Sequence, residues 1–482
     1  MLFNSLQFLV FFIVVTILYY ALPYRWRWKM LLAASCVFYM AFIPAYIFIL
    51  LTTILIDYYM GIVIARSTGR KRLICLQVSI VSTCLVLFVF KYCAFFGMTV
   101  RELEGLLGAA QSFPITHIIL PIGLSFHTFQ SLSYVVEVYR GKQEPERNFG
   151  IYSLYVMFYP QLVAGPIERP QNLLHQFHED HRFELANLAV GLRMMLWGLF
   201  QKMVIADRSA AYVNHVYGLW NRESGLSLLF ATLLFAVQIY ADFAGYSNIA
   251  IGCARVMGFK LMTNFNHPYF SRSFGEFWKR WHISLSTWFR DYVYIPLGGN
   301  RVGAGRLYFN LFVTFTVSGL WHGANWTFVI WGAMNGVFLI VEHALGSAGL
   351  HYPANIVGRI LRRAAVLAGI YFAWIFFRAQ SLHAALHIIG RIATGTSLSR
   401  QSVADAVSQF AGDISSVAVC AVTLLFIVLM FALEYGKEYI FHSAQQAFLA
   451  SLKYQFASTV LLFQLIMLFG ILRASAFVYF QF

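Results

Sequence analysis

Residues 307–345 read LYFNLFVTFTVSGLWHGANWTFVIWGAMNGVFLIVEHAL. Two apolar runs, 307–321 and 326–345, are separated by a short, glycine-flanked break that holds His322. A helix that crosses a bilayer needs about 20 mostly apolar residues, because lipid offers no hydrogen-bond partner to the backbone. This stretch therefore predicts two membrane-spanning helices with a histidine at the turn between them.

The composition extends the prediction of membrane-spanning helices to the whole chain. Of the 482 residues, 60% are hydrophobic, 18% are aromatic and only 11% are charged, whereas soluble domains carry roughly a quarter charged residues. A soluble protein with so few charges would expose large apolar patches and aggregate. We therefore exclude an ordinary soluble enzyme, a disordered chain and a nucleic-acid-binding domain, and predict an all-α polytopic membrane protein.

Other apolar runs of similar length predict further crossings. Besides the two above, they lie at 6–23, 74–97, 151–165, 184–205, 226–250, 361–378, 414–434 and 456–480. Residues 30–64 are interrupted at Pro44 and fit either one span with a re-entrant piece or two short tilted helices. Residues 115–138 carry Pro121 and Gly123, which favours a broken or re-entrant helix. By length, the chain predicts about ten to twelve crossings.

The net charge of +15 comes from 35 Lys and Arg against 20 Asp and Glu. The basic residues gather in short connectors, as at 25–29 and 66–72. Short basic loops stay on the cytoplasmic side of a membrane. The excess charge therefore indicates topology, with added affinity for anionic lipid or an anionic cofactor, rather than a nucleic-acid partner.

Several kinds of site have no signature in the sequence. The six cysteines are scattered without a CxxC pair, which predicts inert buried thiols and no disulfide framework. The chain carries no metal-ligand spacing, no GxSxG elbow, no P-loop and no dinucleotide fingerprint. Acidic residues occur singly in the apolar segments, so the ladder of acids expected of a proton-coupled transporter is sparse. These residues leave both a membrane enzyme and a transporter open.

The segment 274–294 reads FGEFWKRWHISLSTWFRDYVY. Its large apolar side chains recur at helical spacing, at Trp278, Trp281, Leu285, Trp288 and Phe289. This pattern predicts an amphipathic helix that lies in the membrane interface with its aromatic face toward the lipid. A plain amphipathic connector explains the aromatic and charged residues, but it does not require His282.

His282 and His322 are the ionisable residues that could carry chemistry. An ionisable residue at membrane depth is costly and is a functional candidate, and a neutral histidine is the mildest case. A hydrogen-bonded histidine at a helix end is the alternative without chemistry. If both histidines face one cavity, one imidazole can take the proton from an attacking hydroxyl. A second polar group can then orient a thioester or stabilise the developing oxyanion.

Six blocks, in order along nearly the whole chain, resemble the membrane-bound O-acyltransferase family, in its bacterial polysaccharide branch typified by the membrane subunit of alginate O-acetylation. They are LPIGLSFHTFQSLSYVVEVYRG (120–141), FYPQLVAGPIERP (158–170), QIYADFAGYSNIAIGCARVMGF (238–259), FWKRWHISLSTWFRDYVYIPLGGNR (277–301), SGLWHGANWTFVIWGAMNG (318–336) and WIFFRA (374–379). The resemblance implies one integral membrane domain over residues 1–482, with its core motifs at about 115–380 and its helices around a transmembrane tunnel. Re-entrant and interfacial helices would complete that domain.

The resemblance also implies site residues, substrates and partners. The catalytic histidine of the family corresponds to His322, in the WHGxxW block, and its second histidine corresponds to His282. Acetyl-coenzyme A, directly or through an acyl carrier protein, is the expected donor substrate, with no permanently bound cofactor and no metal. An SGNH-type acetyltransferase outside the bacterial inner membrane would pass the acetyl group to a polysaccharide. The protein would thus move an acetyl group, rather than coenzyme A, across the bilayer.

Further residues follow from the same resemblance. Lys279 and Arg280 would suit the phosphates of coenzyme A, although they would serve equally as interface anchors. Weaker candidates for the tunnel wall are polar residues, and three aromatic residues are expected to shape the tunnel rather than to do chemistry. The polar residues are Asp242, Asn248 and Asn264, and the aromatic residues are Tyr240, Trp281 and Trp321.

The chain ends in FVYFQF, which contains one nucleophilic hydroxyl, that of Tyr479. Similar endings occur in the family branch, so this phenol could be a transient acyl acceptor in the tunnel. A C-terminal plug that simply packs is the alternative.

Two other functions remain open. D-alanyl transfer to teichoic acid, from a carrier-protein thioester, is a second activity within the family. A polysaccharide transporter or a passive assembly scaffold would have no chemistry of its own.

Overall fold

A computed structural model describes residues 1–108, 120–163, 165–350, 352–353, 355–414, 416–440, 452–471 and 477–478. Within these ranges the regular structure is helical and contains no β-strand. The chain divides into two compact units. The all-α membrane class expected from the composition is confirmed.

The first unit comprises Met1–Met195 and Ile249–Met262. Its helices are α1 (Leu6–Ala21), α2 (Tyr24–Met40), α3 (Tyr46–Arg66), α4 (Gly69–Leu87), α5 (Cys93–Leu106), α6 (Leu124–Tyr139), α7 (Phe149–Met157), α8 (Tyr159–Leu162), α9 (Pro170–Leu173) and most of α10 (Leu185–Leu199). Asp57 is buried here and accepts hydrogen bonds from Ser79, at 2.5 Å, and from Thr83, at 3.1 Å. These donors offset the cost of burying its carboxyl group.

The second unit comprises Leu196–Asn248 and Thr263–Phe482. Its π-helical segments are Phe200–Ala206, Arg290–Tyr294 and Gly436–Ile440. Its helices are α11 (Asp207–Gly218), most of α12 (Gly225–Val256), α13 (Phe274–Arg280), α14 (Ile283–Phe289), α15 (Ala304–His322), α16 (Trp326–Ser347), α17 (Ile356–Arg378), α18 (Leu382–Gly395), α19 (Arg400–Asp413), α20 (Val417–Tyr435) and α21 (Leu452–Phe469).

Seven helices in the described part of the chain are long and apolar enough to cross a membrane. Four of them are α3 (Tyr46–Arg66), α12 (Gly225–Val256), α16 (Trp326–Ser347) and α17 (Ile356–Arg378). The other three are continuous through π-helical segments: Gly69–Leu106 joins α4 and α5 through Phe88–Tyr92, Leu185–Gly218 joins α10 and α11, and Val417–Ile440 extends α20. The first, α3, overlaps the interrupted run 30–64, which contributes to two separate helices, α2 and α3, and the other six match predicted spans. The runs that begin at 6 and 456 form shorter apolar helices, Leu6–Ala21 and Phe456–Phe469. The expected ten to twelve crossings thus exceed the number of such helices.

Two of the predicted spans differ from the structure. The run 151–165 is not one span, because α7 ends at Met157 and the separate turn Tyr159–Leu162 follows. Pro160 stands in the first turn after the break, where the absence of its N–H is tolerated. The run 307–321 lies in a helix of 19 residues, Ala304–His322, which is not among the seven.

The segment 274–294 is not the single interfacial helix that its aromatic spacing predicts. Helix α13 ends at Arg280, and α14 begins at Ile283 after a break at Trp281 and His282. His282 has a φ of +44°, a left-handed conformation that is uncommon for a residue with a side chain. The aromatic spacing therefore misses a sharp change of chain direction at the histidine.

Candidate functional site

His322 is the last residue of α15, at the turn that leads into α16. The two helices approach closely at Gly319 and Gly332, where a Cβ on Gly319 would lie 2.2 Å from the carbonyl oxygen of Phe328. Asn325 begins α16 by accepting a hydrogen bond from the N–H of Thr327 at 3.0 Å. The small residues at the contact and the side-chain cap together hold His322 between the two helices.

Aromatic rings surround the imidazole of His322, which is 6% exposed. The rings of Trp321 and Trp331 each lie 5.0 Å from the imidazole, and both present an edge-to-face geometry. The ring of Phe377, from α17, lies at 5.5 Å. This enclosure places the imidazole of His322 among aromatic side chains from α15, α16 and α17.

Hydrogen bonds between Asn264 and the two residues that follow His282 hold the backbone at His282 in place. The carbonyl of Asn264 accepts the N–H of Ile283 at 2.9 Å. The side chain of Asn264 accepts a hydrogen bond from Ser284 at 2.6 Å and donates one to Ser247 at 2.9 Å. Asn264, expected at the tunnel wall, therefore fixes the backbone on which His282 sits.

The structure brings the two predicted histidines together. Their ring centroids are 6.4 Å apart, and the ring of Phe243 lies 4.5 Å from His282. Burial lowers the pKa of His282 to about 3, so its imidazole is neutral at physiological pH. Two imidazoles in one aromatic enclosure, which we call the histidine site, form an arrangement that can accept and return a proton.

Lys279 and Arg280 differ in their contacts and in their exposure. The guanidinium of Arg280 forms ion pairs with Glu276 and Glu438, each at 2.8 Å. Lys279 is exposed. Arg280 therefore serves the packing of its own helix against the segment of Glu438, which leaves Lys279 as the cation of this pair that faces solvent.

Other polar candidates also have protein partners. Asn248 donates to Gln201 at 2.8 Å, and Tyr240 donates to Glu434 at 2.7 Å. Trp281 is buried and stacks on Phe277, in keeping with a packing role. Glu434 was missed by sequence reasoning, although an acid at the end of the apolar run 414–434 is itself a visible signal.

Asp242, a candidate for the tunnel wall, belongs to a buried ion-pair cluster whose other members, Lys202 and Asp207, were missed. Lys202 pairs with Asp207 and with Asp242, each at 2.8 Å, and all three side chains are almost inaccessible to solvent. Lys202 stands inside the apolar run 184–205, where a charge is costly. That position was the signal that could have found the cluster. Tyr479 lies outside the described residues.

A polar cavity of about 830 Å³ lies in the first unit, between the segments 168–187 and 255–262. Its lining includes Glu168, Arg255 and Lys260, and it contains neither of the two histidines. Burial raises the pKa of Glu168 to about 7. Across the described ranges, no group of three His, Cys, Asp or Glu side chains could hold a metal ion.

Known proteins of similar sequence indicate the family of this chain. The family model for membrane-bound O-acyltransferases matches residues 148–382, a range that contains both histidines. The chain is 41% identical over 391 residues to the probable alginate O-acetylase of Pseudomonas aeruginosa. The alignment covers 80% of this chain and 73% of that protein. It is 33% identical over 387 residues to the peptidoglycan O-acetyltransferase of Helicobacter pylori, covering 74% and 72%.

A third relative is more distant. The chain is 26% identical over 289 residues to the teichoic acid D-alanyltransferase of Bacillus subtilis, covering 56% of this chain and 71% of that protein. The resemblance carried by the six sequence blocks is confirmed. From the seven helices of spanning length and the identity to these relatives, the chain belongs to the membrane-bound O-acyltransferase family and is a multi-pass acyltransferase of the bacterial inner membrane.

Proposed function

We propose that the protein transfers an acetyl group from a cytoplasmic acetyl thioester, across the membrane, for O-acetylation of an extracytoplasmic polysaccharide such as alginate. The observation that carries this proposal is the enclosed pair of His282 and His322, 6.4 Å apart. The pair lies in a chain that is 41% identical to an alginate O-acetylase. His322 acts as the general base and His282 orients the reacting groups.

The histidine site carries out the first acyl transfer of this route, from the thioester to a hydroxyl group. An imidazole nitrogen of His322 accepts the proton of the attacking hydroxyl as its oxygen bonds to the thioester carbonyl carbon. The carbon–sulfur bond then breaks, and the leaving thiolate receives the proton from the imidazolium. An acetyl ester and a free thiol result, and the histidine returns to its neutral form. A neutral imidazole is required at the start, since an imidazolium has no lone pair to accept the proton.

Acetyl-coenzyme A, directly or through an acyl carrier protein, is the donor in this proposal. Basic residues at 25–29, in the first turns of α2, and at 66–72, where α3 ends and α4 begins, support entry from the cytoplasm, because basic residues that flank membrane-spanning segments stay on that side. Lys279 is exposed and is the residue proposed to meet the donor phosphates. An SGNH-type acetyltransferase in the extracytoplasmic space is the proposed partner, and the polysaccharide is the final acceptor.

Tyr479 is proposed as a transient carrier of the acetyl group, on the strength of its single phenol in the last six residues. The intact mass of the protein after incubation with labelled donor tests this step. Acetyl on Tyr479, and loss of transfer in Tyr479→Phe, are expected. A Tyr479→Phe variant with full activity and no acetylated peptide would contradict it, without affecting the role of His322.

D-alanyl transfer to teichoic acid is the second candidate function. The identity of 26% to the Bacillus subtilis D-alanyltransferase favours it, but the higher identity to alginate O-acetylase favours acetyl transfer. A donor competition in proteoliposomes separates the two. Consumption of acetyl-coenzyme A supports the first, whereas turnover only with D-alanyl carrier protein would establish the second.

The main experiment is reconstitution with acetyl-labelled coenzyme A, with and without a candidate SGNH-type partner. His322→Ala is expected to insert normally and to lose acetyl transfer. His343→Ala is the matched control, because His343 is exposed on α16. Retained transfer in His322→Ala would overturn the catalytic assignment and would favour a transporter or a scaffold.

A further inference from the structure

The buried cluster of Lys202, Asp207 and Asp242 lies in the second unit. The ammonium group of Lys202 faces two carboxyl groups. The cluster therefore offers more hydrogen-bond acceptors than the lysine occupies. Buried ion pairs contribute little to stability in themselves, because desolvation offsets the attraction. A cluster of this kind inside an apolar segment therefore calls for a specific role.

Local backbone geometry places Lys202 against α12. Lys202 stands in the π-helical segment Phe200–Ala206, and such segments are frequent at functional sites. Gly245 permits the close approach, since a Cβ there would lie 2.7 Å from the carbonyl oxygen of Gly198. The lysine can thus reach Asp242, one turn earlier on α12.

The C-terminal segment contacts this region at three points. Arg208 donates two hydrogen bonds to the carbonyl of Phe469, at 2.9 and 2.6 Å. The N–H of Ile471 donates to the carbonyl of Met203 at 3.1 Å. The third contact is the N–H of Val478, which donates to Oδ2 of Asp242 at 2.7 Å. The end of α21 and the described residues beyond it are therefore tied to residues 203–208 and to Asp242.

The contact between Val478 and Asp242 lies next to residues that pack against the histidine site. Phe477 is buried against the rings of Phe243, at 5.4 Å, and Tyr246, at 4.6 Å. Phe243 in turn meets the imidazole of His282 edge-on at 4.5 Å. The bond from Val478 to Asp242 thus fixes an aromatic side chain that shares a packing partner with His282.

We propose that Lys202, Asp207 and Asp242 form a C-terminal anchor, which holds the segment Phe477–Val478 beside the histidine site. Asp242 is the positioning residue: one of its oxygens is oriented by Lys202 and the other accepts the Val478 N–H. Asp207 shares the lysine and sets its position. Tyr479 follows Val478 in the sequence, so the anchor holds the residue that precedes the acetyl carrier proposed above.

The test is the reactivity of a cysteine at position 478. Val478 is 1% exposed, so Val478→Cys should react slowly with a membrane-permeant maleimide. The background replaces five of the native cysteines and keeps Cys420, which is buried in the same unit and serves as an internal reference. Mass spectrometry reports both sites in one sample.

Asp242→Ala removes the acceptor and is expected to raise labelling at position 478 by at least about tenfold, since labelling follows the opening of the segment. Labelling of Cys420 should stay unchanged. Asp57→Asn is the control, because Asp57 is an equally buried acid that lies in the other unit. Unchanged labelling at 478 in Asp242→Ala would overturn the anchor.

A second variant covers the case in which Asp242→Ala fails to fold and labelling rises at both sites. The triple variant Lys202→Met, Asp207→Asn, Asp242→Leu leaves no unpaired buried charge in the cluster, so its fold should persist. It too is expected to raise labelling at position 478 alone. Protection equal to that of the parent would overturn the anchor. Since labelling needs no acetyl donor, its outcome is independent of the proposed acetyl transfer.

Discussion

The imidazole of His282 lies 6.4 Å from that of His322, centroid to centroid, with the two ring planes inclined at 54°. One histidine precedes α14 and the other ends α15. Both rings are buried among aromatic side chains. Both residues therefore belong to one enclosed site, and variants of the two should show coupled effects.

The first prediction concerns this coupling. His322→Ala should lower kcat roughly 10²–10⁴-fold, the contribution typical of a general base. The double variant with His282→Ala should be no slower than His322→Ala alone, because residues that act as a unit are not additive. Steady-state acetyl transfer in proteoliposomes measures both. Effects that multiply would show that the histidines act independently.

The second prediction concerns the pH dependence of stability. Burial lowers the pKa of His282 to about 3, below the usual value of ~6.5 in an unfolded chain. The unfolded state therefore binds more protons, and the stability that His282 confers above about pH 6.5 is lost as the pH falls. Between about pH 7.5 and about pH 5 this loss should reach about 2 kcal/mol.

His282→Gln should remove that part of the acid sensitivity. The measurement is the thermal midpoint in detergent at both pH values, compared between the parent and the variant. His343→Gln is the control, because His343 is exposed. A variant whose midpoint falls with pH as steeply as the parent would contradict a buried neutral His282.

The third prediction concerns the contact between α15 and α16. In Gly319→Ala the added Cβ would lie 2.2 Å from the carbonyl oxygen of Phe328 and 2.9 Å from Cα of Gly332. Backbone atoms cannot move aside cheaply, so we expect a loss of about 1–3 kcal/mol and weaker acetyl transfer as His322 shifts. Thermal denaturation and activity are the measurements.

Gly305→Ala is the matched control for this change. Gly305 lies on the same helix, and a Cβ there would have no neighbour within 4 Å. Its stability and activity should equal or exceed those of the parent, because alanine favours a helix more than glycine does. Equal losses of stability and activity in the two variants would show that the close helix contact is not their cause.

The fourth prediction separates Lys279 from Arg280. Lys279→Ala should raise KM for acetyl-coenzyme A with little change in kcat, because it removes binding shared by the ground and transition states. Arg280→Ala should instead lower stability, since it breaks the pairs with Glu276 and Glu438. Lys71→Ala, at an exposed position in the first turn of α4, is the control. An unchanged KM in Lys279→Ala would remove that residue from the donor site.

The class of the protein could be predicted from sequence because hydropathy acts locally. A run such as 414–434 is apolar wherever it lies in the fold, and lipid requires it to be helical. The run 151–165 was wrongly predicted as one span, because its composition is apolar while the chain turns at Phe158. The apolar composition of a segment reflects its removal from water. A membrane-spanning helix and a broken helix inside the protein are both removed from water, so composition does not distinguish them.

The sequence alone determined the membrane class and the family, and it predicted the two histidines of the site, because apolar run length and ordered motifs are properties of the linear chain. Only the tertiary structure decided that α13 and α14 break at His282, that the imidazoles are 6.4 Å apart, and that Arg280 is paired while Lys279 is exposed. It also decided that Lys202 meets Asp242, and that Asp242 meets Val478. Such contacts join residues distant in sequence, so packing and burial determine them and no local pattern records them.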